Sequence, residues 1–195
     1  MSNLILLRWR ESLRHIAPRM RLLAVIEIIL VIVIVIIAGT FAIARAQFDS
    51  ETRVVYSLDR RQNDQEIIRL INDAKKYVYF AIYYFSQNNI ADALIRAKER
   101  GIDVRGITDR EASLGTNKAV VEKMQAAGIS VEMQRHMDGI MHVKAMVTDS
   151  AYASGSYNWT SAATEANDEV LEIGTNRSIH DQYLDIIRRI IENNQ

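Results

Sequence analysis

The chain has 195 residues, with 24 Lys and Arg against 24 Asp and Glu, and no cysteine. That length allows one domain with an appendage, and the lack of thiols excludes disulfide frameworks, thiolate zinc sites and cysteine nucleophiles. The charge is segregated: residues 1–21 hold five arginines (Arg8, Arg10, Arg14, Arg19, Arg21) against Glu11, net +4, while residues 50–195 hold 18 basic and 21 acidic residues, net −3. A nonspecific nucleic-acid binder usually carries a broad basic footprint, so a phosphate-binding surface here has to be a local cleft on a mildly acidic body.

Residues 22–44, LLAVIEIILVIVIVIIAGTFAIA, contain one charge, Glu27. About 20 apolar residues cross a bilayer, so this run is expected to be a transmembrane helix. The arginines precede it and Arg45 alone follows closely. The positive-inside rule then makes 1–21 a basic cytoplasmic segment and puts the rest across the membrane, in the periplasm if the cell is bacterial. A cleaved signal peptide is the competing expectation. Ala44-Arg45-Ala46 has the A-x-A form and Ile28–Ala38 could serve as the h-region, giving a secreted or periplasmic product cut near Ala46. The long basic flank and the length of the apolar run favour the uncleaved anchor.

From residue 50 to 195 strand and helix patterns alternate. Arg53–Leu58 reads as a strand. Asn63 with Glu66 three residues on looks like a capping box, opening a helix with Ile67, Ile68, Leu70, Ile71 and Ala74 on one broad face. Tyr77–Tyr84 is a buried-strand candidate. Asn89–Arg100 is a helix closed by Gly101, which suits a left-handed C-cap. Strand Ile102–Thr108, helix Asn117–Ala127 ending at Gly128, and strand Ile129–Gln134 follow. His142–Thr148 and Tyr152–Ser154 read as paired strands around a short turn, Glu169–Gly174 as a last strand, and Ile179–Asn193 as a closing amphipathic helix. Such alternation implies an α/β domain with a mixed, largely buried β-sheet flanked by helices.

The chemistry concentrates in MHVKAMVTDSAYASGSYNWTSAATEANDE, residues 141–169. His142, Lys144 and Asp149 form H-x-K-x4-D; Gly155, Ser156 and Asn158 form G-S-x-N; Asn167 and Glu169 follow. Residues two apart on a strand share a face, so His142 and Lys144 point together while Val143, Ala145 and Val147 face the core. A His and a Lys side by side in a buried sheet are costly unless partnered, and a phosphate is a fitting partner because lysine serves it as a point charge. An isolated H-x-K is most simply an exposed sheet edge followed by an ordinary loop. The coincidence of all three elements is far rarer and points to phosphodiester chemistry.

On these motifs, residues 56–192 resemble the phospholipase D superfamily. They are most similar to its single-motif branches, the small Nuc-type endonucleases and the Zucchini-type mitochondrial enzymes. The likeness runs through IIRLINDAKKYVYFAIYYFS and ALIRAKERGIDVRGITD to GSYNWTSAATEANDE. It implies the phospholipase D/nuclease fold and a phosphohistidine intermediate with no metal and no cofactor. One histidine attacks phosphorus and a second protonates the leaving oxygen. Carried over, His142 is nucleophile or acid, Lys144, Ser156 and Asn158 hold the phosphate, Glu169 bonds the distal imidazole nitrogen, and Asp149 is the motif's acid, read mainly as structural support. A single motif implies a homodimer with the active site at its twofold interface. One departure stands out: five residues, 150–154, separate Asp149 from Gly155 where the family has six. A register slip there would flip alternate side chains, so the placement of Ser156 is less secure than that of His142.

Other residues have plainer readings. His136 falls in the loop before the motif, and His15 and His180 on expected helices are taken as surface residues. No histidine has metal-binding spacing. Asp109-Arg110-Glu111 ends a strand, where either ligand binding or turn capping explains it. The run Tyr77, Tyr79, Phe80, Tyr83, Tyr84, Phe85 is expected in the core. Lys75-Lys76 reads as a basic helix end. The sequence thus predicts a phosphodiester hydrolase, metal-independent and endonuclease-like, with hydrolysis of membrane phospholipids such as cardiolipin as the alternative. A catalytically silent membrane scaffold is the third reading, opposed by the intact His142, Lys144 and Glu169.

Overall fold

A computed structural model of the chain describes residues 18–48, 51–135 and 139–194. The expectations at His15, at His136 and in the basic segment before residue 18 lie outside the described residues. The chain divides into two compact units, Met1–Asp49 and Ser50–Gln195. In the first, helix α1 spans Pro18–Phe48. Its Leu22–Phe41 segment, 20 residues of mean hydropathy 3.3, is long and apolar enough to cross a membrane. Thr40 donates its hydroxyl proton to the Ile37 carbonyl at 2.9 Å, which satisfies that hydroxyl within the helix.

The second unit runs β1 (Thr52–Tyr56), α2 (Ser57–Arg60), α3 (Asn63–Asp73), β2 (Tyr77–Ile82), α4 (Asn88–Glu99), β3 (Asp103–Thr108), α5 (Arg110–Leu114), α6 (Lys118–Ala126), β4 (Ser130–Met133), β5 (Lys144–Thr148), β6 (Tyr152–Gly155), α7 (Ser161–Glu165), β7 (Val170–Gly174) and α8 (Arg177–Glu192). The strands form one seven-stranded mixed sheet in the order β1-β7-β6-β5-β2-β3-β4. β2, β3 and β4 are parallel and every other pair is antiparallel.

Both faces of the sheet are covered, which is why β2 is an unbroken run of large apolar and aromatic residues. Val78, Phe80 and Ile82 pack with Ile67, Leu94 and Met124 from α3, α4 and α6. Tyr79 and Ala81 face the other way, with Ala145, Val147, Ile187 and Ile191, under α8. Full burial of an isoleucine contributes roughly 1.5–3 kcal/mol, so Ile187 and Ile191 are strong anchors for α8. Gly101 takes φ +83° and closes α4 as expected.

Several local expectations are corrected. The capping box does not form: Gln62 is the N-cap without a side-chain bond. Glu66 instead takes ion pairs from Arg53 and Arg69, in which both partners carry charge. Among the described residues Asn63 is buried with neither amide atom partnered. The first strand stops at Tyr56 because Ser57 turns the chain, accepting from Glu169 N at 2.9 Å while its own N–H donates to the Glu169 carbonyl at 2.9 Å. β2 stops at Ile82, so Tyr83 and Tyr84 leave the sheet. His180 is not a surface residue but 2% exposed. Its Nε2 donates to the Thr148 carbonyl at 2.7 Å and its Nδ1 lies 2.9 Å from Asp181 Oδ1. Residues 180, 184, 187 and 191 share one face of α8, so helical periodicity itself carries this burial.

Candidate active site

The carboxyl ends of β2, β3, β4 and β6 and the amino ends of β5 and β7 meet at one edge of the sheet. The register fixes this through the pairs Ile82 with Lys144, Ala145 with Ser154 and Gly155 with Leu171. Loops at the carboxyl ends of parallel strands are a common binding position in α/β folds.

His142 lies two residues ahead of β5, exposed, with its imidazole centroid 4.8 Å from the Tyr83 ring. Lys144 opens β5, half-buried. Its Nζ donates to the His142 carbonyl at 3.0 Å and sits 5.2 Å from the Tyr83 centroid. Burial pulls the Lys144 ammonium below the ordinary lysine value, and the Glu169 charge works against that fall. Glu169 is buried just before β7. It accepts from the Ser156 hydroxyl and from Asn167 Nδ2, the latter at 3.1 Å.

Ser156 is held on three sides. Its hydroxyl donates to Glu169 and accepts from Val170 N at 3.1 Å, and its N–H donates to the Val170 carbonyl at 3.1 Å. This approach requires Gly155: a Cβ there would run into the Val170 carbonyl oxygen, and φ is +155°. The Asn158 amide oxygen accepts from Tyr84 N at 3.1 Å, which leaves its NH2 end as the donor.

The shortened motif spacing is absorbed in the turn. Asp149 and Ser150 form the loop, with Thr148 N donating to the Ala151 carbonyl at 2.8 Å and Thr148 Oγ1 accepting from Ala151 N at 3.1 Å. Val147 then pairs with Tyr152 and Ala145 with Ser154, so no register slip reaches Ser156.

The expected residues do not all converge. Asp149, counted with the motif's catalytic set, lies at the far end of β5, about 16 Å of strand away at roughly 3.3 Å per residue. It accepts from Lys75 N at 2.8 Å and Lys76 N at 3.0 Å. Burial pushes its carboxyl up, but those backbone bonds outweigh it and hold the value below the usual range. Its role is to tie the β5–β6 turn to the start of β2. Glu169 is bonded to Ser156 and Asn167 rather than to His142.

Two site residues escaped the sequence reading. Tyr83 and Tyr84, expected in the core, lie at the site, Tyr83 half-buried and Tyr84 exposed, with hydroxyls 3.3 Å apart. Phe85 is buried as expected, edge-on to Trp159. Asp109 is a cap, as one of its two readings held: its Oδ1 accepts from Ala112 N at 3.1 Å. Its Oδ2 accepts from Met141 N at 3.1 Å and so steadies the residue before His142. A cleft of about 390 Å³ beside Met141 is lined by Asp109, Glu111, Leu114 and Ile140 among others.

The family model described as "Cardiolipin synthase, PLD-like domain" matches residues 67–191. "Phospholipase D" of Rickettsia conorii is 32% identical over 119 residues, 60% of this chain and 58% of that protein. "Mitochondrial cardiolipin hydrolase" of Xenopus tropicalis is 27% identical over 124 residues, 64% of this chain and 59% of that protein. The matches therefore span less than two thirds of these relatives' length. Among solved structures, Nuc from Salmonella typhimurium superposes with a TM-score of 0.70 at 24% identity, over 75% of this chain and 97% of Nuc. NucT from Helicobacter pylori does so with a TM-score of 0.70 at 23% identity, over 74% and 97%. These likenesses join the sheet order and the placement of His142, Lys144, Ser156 and Glu169 at one sheet edge: the chain belongs to the phospholipase D superfamily, in the family of cardiolipin synthase PLD-like domains.

Proposed function

We propose that the chain hydrolyses phosphodiesters through a phosphohistidine formed on His142. The observation that carries the reading is the gathering of an exposed imidazole, a half-buried lysine and the Ser156–Glu169–Asn167 cluster at one sheet edge. In the first step an imidazole nitrogen forms a bond to phosphorus, the P–O ester bond breaks, and the leaving oxygen takes a proton from a second imidazole. In the second step water attacks phosphorus, gives its proton to that second imidazole, and releases His142 and a phosphomonoester. Lys144 neutralises charge on the non-bridging oxygens, which raises the rate because that charge grows in the transition state. The second imidazole is His142 of another copy, since one histidine cannot attack and protonate at once. The active form is therefore a homodimer. A side-chain nucleophile needs no metal to activate it.

A phospholipid is the substrate class this surface supports best. The domain is net acidic over residues 50–195, Leu114 and Ile140 are exposed large apolar residues on the cleft beside Met141, and the chain carries a membrane-length helix. In this reading α1 stays in the membrane, with residues 1–21 cytoplasmic and the domain outside. Nucleic acid is the second reading, supported by the likeness to Nuc over nearly all of that protein.

The test uses the full chain in lipid nanodiscs, with bis(p-nitrophenyl) phosphate, cardiolipin vesicles, single-stranded DNA and RNA as parallel substrates, with and without EDTA. Turnover of the chromogenic diester that survives EDTA, vanishes in His142→Ala and leaves a phosphoryl group on the His142 peptide after alkaline quenching is expected. Turnover that survives His142→Ala, or that needs added metal, overturns it. Cleavage of DNA or RNA with intact cardiolipin replaces the lipid reading with the nuclease one.

A further inference from the structure

An exposed catalytic imidazole needs something to hold its ring. Within its own chain the Glu169 carboxylate accepts from Ser156 and Asn167. The group that does face His142 is Tyr83, whose ring lies 4.8 Å from the imidazole, centroid to centroid, at 58°. The same ring has the Lys144 ammonium 5.2 Å from its centroid. One aromatic ring therefore touches both charged partners of the proposed reaction.

The ring is itself well anchored. Tyr83 N donates to the Val143 carbonyl at 3.0 Å, tying the residue to the segment between His142 and Lys144. Its own carbonyl accepts from Asn117 Nδ2 at 2.8 Å, and Asn117 is fully buried at the start of α6. Its hydroxyl donates to Tyr84. That bond, with burial and nearby carboxylates, pushes the Tyr83 hydroxyl up to about 12. The phenol stays neutral through the working pH range, and it is the ring that faces His142 and Lys144.

From this geometry we infer that Tyr83 is a positioning residue of the active site, an aromatic platform that orients His142 and lets its imidazolium coexist with the Lys144 ammonium. The inference rests on His142 being the reacting residue. Two cations two residues apart repel. An aromatic ring carries a negative face, and a cation within about 6 Å of it gains roughly 0.5–1 kcal/mol when exposed and about 2 kcal/mol when desolvated. A ring shared by both groups offsets part of the repulsion when His142 takes up a proton. A ring that blocks alternative imidazole rotamers also raises the fraction of productive encounters. The contribution belongs to the chemical step, because substrate phosphate binds Lys144 whether or not His142 is well oriented.

Three substitutions separate this role from simple packing, with the full chain and bis(p-nitrophenyl) phosphate as probe. Tyr83→Phe keeps the ring and is expected to keep kcat within a factor of about 2. Tyr83→Leu keeps bulk without a π face and is expected to lower kcat by about 3- to 30-fold, the rate equivalent of the cation–π range above, with KM little changed. Tyr83→Ala should match or exceed that loss. In the Leu variant the basic limb of the pH–kcat profile should move to lower pH, and the His142 ring signals in NMR should show averaging between rotamers. Melting temperatures of all three variants are measured alongside. If Tyr83→Leu equals Tyr83→Phe in kcat and pH profile, the ring does not position His142 and the inference falls. If His142→Ala retains turnover, the underlying reading of the site fails instead.

Discussion

Glu169→Gln isolates what the buried carboxylate does. Glutamine can keep both contacts: its amide oxygen still accepts from Asn167 Nδ2, and its NH2 can donate to Ser156 Oγ, which retains a lone pair for the Val170 N–H. Only the charge is removed. Charge-assisted bonds contribute about 1.5–3 kcal/mol and neutral ones about 0.5–1.5. Each of the two bonds should therefore weaken by about 1 kcal/mol, and the pair by about 2. In a domain near 150 residues that corresponds to a melting point lower by roughly 4–8 °C. The charge also supports the Lys144 ammonium against the effect of burial. Without it the lysine loses its proton sooner, so the alkaline limb of the pH–kcat profile moves to lower pH and kcat near neutrality falls. Glu172 is the control. It accepts one bond, from the Tyr152 hydroxyl at 3.0 Å, on β7 away from Lys144, so Glu172→Gln should cost about half the stability and leave the profile unmoved. The assay is a thermal melt with a pH–rate series for both variants, repeated in a Lys144→Met background. There the kinetic effect of Glu169→Gln should largely vanish, because its target is gone. Equal effects at both glutamates, or full additivity with Lys144→Met, would refute the electrostatic role.

Gly155→Ala should lower stability by about 1–3 kcal/mol from the backbone strain alone, with a further loss of kcat as Ser156 moves away from Glu169; a melt and a kcat measurement close to wild type would contradict the close approach to Val170. Asp149→Ala should cost about 1 kcal/mol at neutral pH and leave kcat unchanged, since the residue ties two turns together far from His142. Because the folded carboxyl is held below its ordinary value, its stabilisation is present above the carboxylate range and fades as pH falls through the folded value; the melting difference between wild type and variant should shrink in acid, and a constant difference would point to lost packing. Mixing His142→Ala with wild-type subunits, under conditions where subunits exchange, should depress activity below simple dilution; strictly proportional activity in exchanged samples would argue for a self-sufficient monomer.

Periodicity made most of the fold legible. The apolar run of α1, the helix faces of α3 and α8, and the unbroken β2 strand are local patterns, and each element lies within a few residues of its sequence-based range. The failures occur where a partner distant in sequence decides. Glu66 pairs with Arg53 across 13 residues rather than with its own helix end. Ser57 ends β1 because Asn167 and Glu169 wait for it more than 100 residues on. Tyr83 resembles the core aromatics around it, and only the antiparallel pairing of Ile82 with Lys144 turns it toward His142.

The same distinction explains the site. His142 and Lys144 were legible because their spacing within the motif is local, although β5 begins at Lys144 and leaves His142 ahead of the strand. The bonds of Glu169 to Ser156 and Asn167 were not, because they are set by sheet order. β6 lies between β5 and β7, so within one chain a residue at the start of β7 meets the residue after β6 before it meets anything ahead of β5. That neighbour is Ser156, and Gly155 lets the two strands approach closely enough for the bond to form. Within its own chain the carboxylate therefore meets Ser156, and its charge opposes the effect of burial on Lys144. The β2–β5 pairing delivers Tyr83 instead, whose ring lies beside both His142 and Lys144.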